Sequence, residues 1–263
     1  MDGEIGHLLD AIKEYKPGST ARSTRERPQN PPPRLRIGLF GPPGVGKSAF
    51  INSAIYATLG KKYGWVNKAP EGFAVEASKT KALDSYDISE YISLVDNRGM
   101  RNLGGNFMVE LSNQVAGLYG DKHEVEWDSN FIKRLVSGLR RTFSSSQDCE
   151  IHTCLLVVSA RSLIMQPQDL EELVDTIRNM TGEPPIVIIT NIRNPQSRNV
   201  VSSFCVGLQQ IGINFVFQLE NYTVESHEYD HDKHICVLRA LQQCLVVGDV
   251  VMKNKESNKC TIL

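Results

Sequence analysis

Eight consecutive residues, Gly41-Pro42-Pro43-Gly44-Val45-Gly46-Lys47-Ser48, combine glycines, a lysine and a hydroxyl in the pattern G-x-x-x-x-G-K-[ST]. Glycines let the backbone curl, so that successive N–H groups converge on phosphate oxygens. Lys47 is the mobile cation for the β- and γ-phosphates and the Ser48 hydroxyl is a ligand for Mg²⁺. The backbone of Gly41, Gly44, Val45, Gly46, Lys47, Ser48 and Ala49 makes up the candidate phosphate cradle. A second group, Asp96-Asn97-Arg98-Gly99, reads D-x-x-G. Asp96 suits a Mg²⁺ site, and only glycine at 99 lets a backbone N–H come close to a terminal phosphate. An acid ending a strand in a turn is the plainer reading of Asp96. Lys47 and Gly99 are the candidate catalytic positions.

These residues need rigid elements to hold them. Residues 35–40 form an apolar run that predicts a buried strand, and 49–55 have helical spacing. The loop therefore joins a strand to a helix, the context its chemistry requires. Residues 91–96 predict another strand, with Asp96 at its end, and 81–88 predict one before it. Further strands are expected at 154–158, 186–190 and 214–219. Helices are expected at 4–15, 107–118, around Phe131, Leu135, Val136 and Leu139, and at 168–180, 200–211 and 234–247. Strands alternating with helices imply an α/β fold: three layers, with a mainly parallel central sheet covered by helices on both faces. Such sheets bind ligands at the carboxyl ends of their strands, where the candidate motifs fall.

The expected organisation is an amphipathic helix over 1–16, a linker with prolines and arginines over 17–33, one nucleotide-binding domain over 34–247, and a flexible basic tail over 248–263. At 263 residues, with 41% hydrophobic and 22% charged residues, the composition is that of a globular domain. A net charge of -1 gives no general attraction to nucleic acid, and none is expected as a partner. Six scattered cysteines without C-x-x-C argue against a zinc site or a disulfide framework, and a reducing cytoplasmic setting fits. The acidic start reads as no signal peptide, and no stretch reads as a membrane span. The final residues, Cys260-Thr261-Ile262-Leu263, match C-a-a-X with leucine last, with Lys253, Lys255 and Lys259 upstream. Prenylation at Cys260 with a basic patch would attach the chain to the cytoplasmic face of a membrane. A chance cysteine in a disordered tail is the alternative.

On these motifs the chain resembles the Ras-like P-loop GTPases over roughly residues 34–247. More narrowly, Gly41 to Ser53, Ile151-His152-Thr153-Cys154-Leu155-Leu156-Val157-Val158 and Glu220-Asn221-Tyr222 resemble the interferon-induced protein 44 group. The resemblance implies a cytoplasmic protein that binds GTP or GDP with Mg²⁺, hydrolyses GTP slowly, and acts as a switch or assembling GTPase in innate immunity. It also implies partners of two kinds, a second copy of the chain or GTPase regulators. Thr80 is the candidate switch residue for Mg²⁺, with Ser78 competing. Two departures stand out. The base-reading pattern [N/T]-K-x-D should follow residues 186–189, where the chain has Thr190-Asn191-Ile192-Arg193-Asn194. Arg193 cannot accept guanine's hydrogen bonds. Asn191, Asn194 and Asn221 are the candidate base contacts, with a strand-capping role open for Asn221. Met100 stands where many relatives carry a glutamine that orients water. Arg98 and Arg101 read as solvated arginines, or as groups that stabilise transition-state charge. The competing readings are a nucleotide-binding scaffold without turnover and an ATP-binding P-loop protein.

Overall fold

The computed structural model describes residues 2–23, 25–59, 64–69, 82–97, 99–100, 105–125, 147–163, 167–193 and 198–261. The strands β1 (Leu35–Phe40), β3 (Ile92–Asp96), β4 (Thr153–Ser159) and β5 (Ile186–Thr190) are buried along their whole length. They read as largely apolar runs because both of their faces are covered. With β2 (Asp84–Ser89) and β6 (Val216–Gln218) they make a six-stranded sheet in the order β2-β3-β1-β4-β5-β6. Only the β2–β3 pair is antiparallel.

Alternation along the strands sorts the core into two layers. Leu35, Ile37, Leu39, Leu155, Val157 and Ile188 face helices α1 (Asp2–Lys13), α2 (Lys47–Leu59) and α6 (His231–Thr261). Phe40, Val95, Leu156, Val158 and Ile189 face α3 (Gly105–Val115), α4 (Pro167–Thr181) and α5 (Arg198–Gln210). This is the three-layer α/β architecture that the sequence predicts, a mainly parallel sheet covered by helices on both faces. Most boundaries move by no more than three residues, and the predicted helix around Phe131 to Leu139 lies outside the described residues.

The last helix differs most from expectation. It continues from His231 to Thr261, through the stretch read as a flexible tail, with Cys260 in its final turn. Gly248 does not end it. A Cβ there would lie 2.2 Å from Leu35 Cδ1, so the glycine lets the helix press against β1. Asp249, next to it, is buried and receives four hydrogen bonds: from Tyr15 Oη (2.6 Å), Gly18 N–H (2.7 Å), Thr20 N–H (2.8 Å) and Thr20 Oγ1 (2.7 Å). Glu256 accepts from the N–H groups of Gln29 (2.8 Å) and Asn30 (2.6 Å). The segment read as a linker is thus strapped along α6, because the two carboxylates take up its loose backbone donors. Residues 231–257 of α6 are also long and apolar enough to cross a bilayer, contrary to the sequence reading, but 61% of the apolar window is buried inside the fold.

Candidate functional site

The phosphate-binding loop leaves β1 at Phe40 and enters α2 at Lys47. Its turns need glycine. Gly41 has φ 146° and a Cβ there would fall 2.1 Å from the Val157 carbonyl oxygen; Gly46 has φ 101° and its Cβ would fall 2.8 Å from Asn221 Nδ2. Pro42 and Pro43 carry no N–H, so the cradle's donors come from Gly44 onward. The first helical bond is Phe50 N–H to the Gly46 carbonyl (2.8 Å), and the N–H groups just before it form the positive end of α2. Val45 is buried in the core and anchors the loop, whereas Gly44 is open to solvent. Ala49 sits in the first turn of α2.

Lys47 is only 6% exposed, and its ammonium donates to the carbonyls of Gly41 and Pro42, both at 2.9 Å. Burial draws its pKa down to about 8, against the pull of the Asp96 carboxylate. Ser48 Oγ donates to Asp96 Oδ2 at 2.7 Å, and Asp96 is fully buried at the end of β3. A serine hydroxyl and a carboxylate oxygen at one point, beside a helix N-terminus, are a donor set that fits Mg²⁺. Ser48 and Asp96 would hold the ion, with phosphate and water oxygens completing its shell.

The D-x-x-G segment is docked on the phosphate loop. Met100 N–H donates to the Gly41 carbonyl (3.1 Å), and a Cβ on Gly99 would lie 2.5 Å from Pro43 Cα. Met100 is buried in the α3-side core with Phe40 and Val95, so it is a packing residue that anchors the segment. Asn97 fixes the same segment to α3, donating to Gln114 Oε1 (2.5 Å); Gln114 in turn donates to Glu110 Oε1 (3.1 Å). The sequence reading missed this buried polar chain. Thr80, Ser78, Arg98, Arg101 and Asn194 lie outside the described residues.

At the β5 end, Thr190 Oγ1 donates to the Val45 carbonyl at 2.6 Å, tying the turn after β5 to the glycine loop. Thr190, not Asn191, makes that bridge, and the [N/T] choice at the first position of the pattern was the available signal. Asn191 has φ 56° and its amide donates to Ser159 Oγ (3.0 Å) and Thr190 Oγ1 (3.1 Å), shaping the turn. Asn221 Nδ2 donates to the Gly46 carbonyl at 3.0 Å, placing the loop after β6 against the same cradle. The buried Asn221 Oδ1 has no hydrogen-bond partner among the described residues. Arg193 is largely exposed, with its guanidinium 3.6 Å from Asp230. The structure therefore gathers Gly41–Ala49, Asp96, Gly99, Asn191 and Asn221 around one edge of the sheet, and leaves Cys260 on the far part of α6.

No family model matches the sequence, and no curated protein matches it. Solved structures similar to the chain include Era in complex with MgGDPNP and nucleotides of 16S ribosomal RNA (15% identity, TM-score 0.36), covering 71% of this chain and 50% of that one. The bacterial selenocysteine-specific elongation factor EF-Sec is 13% identical over 81% of this chain and 28% of its own, with a TM-score of 0.42. Nucleolar GTP-binding protein 1 of Plasmodium falciparum is 11% identical, covering 89% and 94%, with a TM-score of 0.36. The chain thus spans half or less of the Era and EF-Sec chains.

Proposed function

We propose that this chain is a Mg²⁺-dependent guanine-nucleotide-binding P-loop protein that hydrolyses GTP slowly. One observation carries the reading: at the carboxyl ends of β1 and β3, the Lys47 ammonium is held on the glycine loop's own carbonyls while Ser48 Oγ meets Asp96 Oδ2 at 2.7 Å. In the reaction, Lys47 turns from the carbonyls of Gly41 and Pro42 toward the β- and γ-phosphates and neutralises their charge. The cradle's N–H groups orient the phosphate chain. Gly99, docked against Pro43, presents its backbone N–H to the γ-phosphate. Bound Mg²⁺ supplies Lewis-acid polarisation of the phosphoryl oxygens. Met100, an apolar side chain held in the core, offers water no hydrogen bond, which favours slow turnover.

That same residue favours a second reading, a nucleotide-binding scaffold without useful turnover. Single-turnover hydrolysis over a range of protein concentrations separates them. A rate that rises with concentration marks an assembling GTPase, whereas release no faster than buffer at any concentration leaves the scaffold. If ATP outcompetes GTP, the Arg193 departure instead marks an ATP-binding protein.

Two finer parts of the proposal rest on sequence. Kinship to the interferon-induced protein 44 group, and with it a role in innate immunity, rests on the Gly41 to Ser53 and Ile151 to Val158 stretches. Transcript levels that stay flat after interferon treatment would remove it. Membrane attachment rests on Cys260-Thr261-Ile262-Leu263 and the lysines before it. One of these, Lys255, is engaged by Glu150 at 2.7 Å, so the basic patch is weaker than the sequence suggests. A Cys260→Ser variant should lose membrane association; an unchanged distribution in cells would sink the idea.

A further inference from the structure

We propose that Glu220, not a residue of the 190–193 stretch, is the carboxylate that reads the base. The inference rests on the guanine-nucleotide reading above. Guanine presents a ring N–H and an exocyclic amine side by side, and the matching group is a carboxylate that accepts both. The expected aspartate position holds Arg193, which only donates. The fold brings another carboxylate to that place. The β5–β6 ladder continues as Leu219 N–H to the Ile189 carbonyl (2.9 Å), which sets the next residue, Glu220, beside the turn after β5. There Glu220 Oε1 accepts the backbone N–H of Arg193 at 2.7 Å. A short acidic side chain at 193 would place its own carboxylate near that same N–H, since aspartates commonly bond their local backbone. Glu220 thus supplies, from the loop after β6 and 27 residues later, the charge that position 193 lacks.

Its surroundings fit the role. The Arg193 guanidinium leans to Asp230 at 3.6 Å instead. The adjoining Asn221 fixes the loop to the cradle through the Gly46 carbonyl, so the carboxylate sits at a set distance from the phosphates. The buried, unpartnered Asn221 Oδ1 offers a further acceptor on the same loop.

The test uses the full chain with Mg²⁺ and titrates GDP, IDP, XDP and ADP, with pyrophosphate as a control for an intact cradle. IDP lacks the exocyclic amine, and XDP carries a carbonyl in its place. The wild type should prefer GDP over IDP and XDP. Glu220→Gln keeps an acceptor for Arg193 N–H, and should lose about 10- to 100-fold in GDP affinity, the range for a charged hydrogen bond. It should lose less for IDP, gain for XDP and keep its pyrophosphate affinity. The double variant Glu220→Ala with Arg193→Asp should recover the GDP preference, which a merely structural Glu220 would not allow. If the wild type prefers GDP and Glu220→Gln keeps the same order and affinities, Glu220 is not the reader, although the guanine reading stands. If the wild type prefers ADP or XDP, or binds none of the four, the guanine reading fails and the role of Glu220 with it.

Discussion

Replacing Gly99 with alanine tests whether the D-x-x-G segment and the phosphate loop work as one unit. The added Cβ would lie 2.5 Å from Pro43 Cα and 2.6 Å from Pro43 N. Both are backbone atoms, so no side-chain rotation relieves the clash, and ordinary contact requires the two segments to part by about 1 Å. If they stay together, the overpacking costs about 1–3 kcal/mol. If they part, the Met100 N–H bond to the Gly41 carbonyl is lost, at about 1 kcal/mol, and Met100 begins to leave its buried site. Burying a methionine contributes about 1.5–3 kcal/mol, of which a partial withdrawal loses a fraction. Either route gives a loss of about 1–3 kcal/mol, read in urea unfolding as a lower midpoint with an unchanged slope. The functional consequence is selective. An N–H at position 99 moved by about 1 Å no longer reaches the γ-phosphate, so GTP affinity should fall about tenfold while GDP affinity holds, since one charged hydrogen bond is lost. An unchanged unfolding midpoint together with an unchanged GTP-to-GDP affinity ratio would refute the reasoning.

Acid should destabilise the fold through His152. Burial, assisted by the cations Lys255 and Arg36, draws its pKa down to about 3, while its Nδ1 accepts Arg36 N–H at 3.1 Å. The unfolded chain protonates near pH 6.5, so it binds more protons than the fold between about pH 3 and 6.5, and stability falls as pH drops through that window. The loss should reach about 2 kcal/mol by pH 5, and His152→Asn, which keeps an acceptor, should flatten it. Identical pH 7 to pH 5 losses in both proteins would show that other groups govern the acid limb. Asp249→Ala strands the Tyr15 hydroxyl and the N–H groups of Gly18 and Thr20 without their acceptor. It should cost about 3–4 kcal/mol and expose residues 14–30 to limited proteolysis; wild-type resistance to protease would refute the strap.

The sheet and its motifs were legible because local chemistry dictates them. The phosphate loop needs glycine at Gly41 and Gly46 for its positive φ angles, and β1, β4 and β5 are dominated by apolar residues because both faces are covered. Asp96 was legible from its place at the end of an apolar run. What escaped depends on partners far away in sequence. Gly248 and Asp249 look like a helix stop until Leu35 and the 15–20 segment are seen against them. Thr190 looks like an ordinary strand end until the Val45 carbonyl is placed beside it. Met100 was read only as a residue that cannot orient water; its burial with Phe40 and Val95 gives the apolar side chain a packing role that the sequence did not show. The carboxylate beside Arg193 could not be found from position 193, because it arrives on the loop after another strand.

The most direct test of the central claim is equilibrium binding of GTP, GDP, ATP and XTP to the full chain with Mg²⁺, beside Lys47→Ala. That variant removes the cation that Gly41 and Pro42 hold at the mouth of the cradle. The account predicts that GTP and GDP bind in preference to ATP and XTP, and that Lys47→Ala loses this binding while remaining folded. Preference for ATP or XTP, or nucleotide affinity that is indifferent to Lys47, would contradict it.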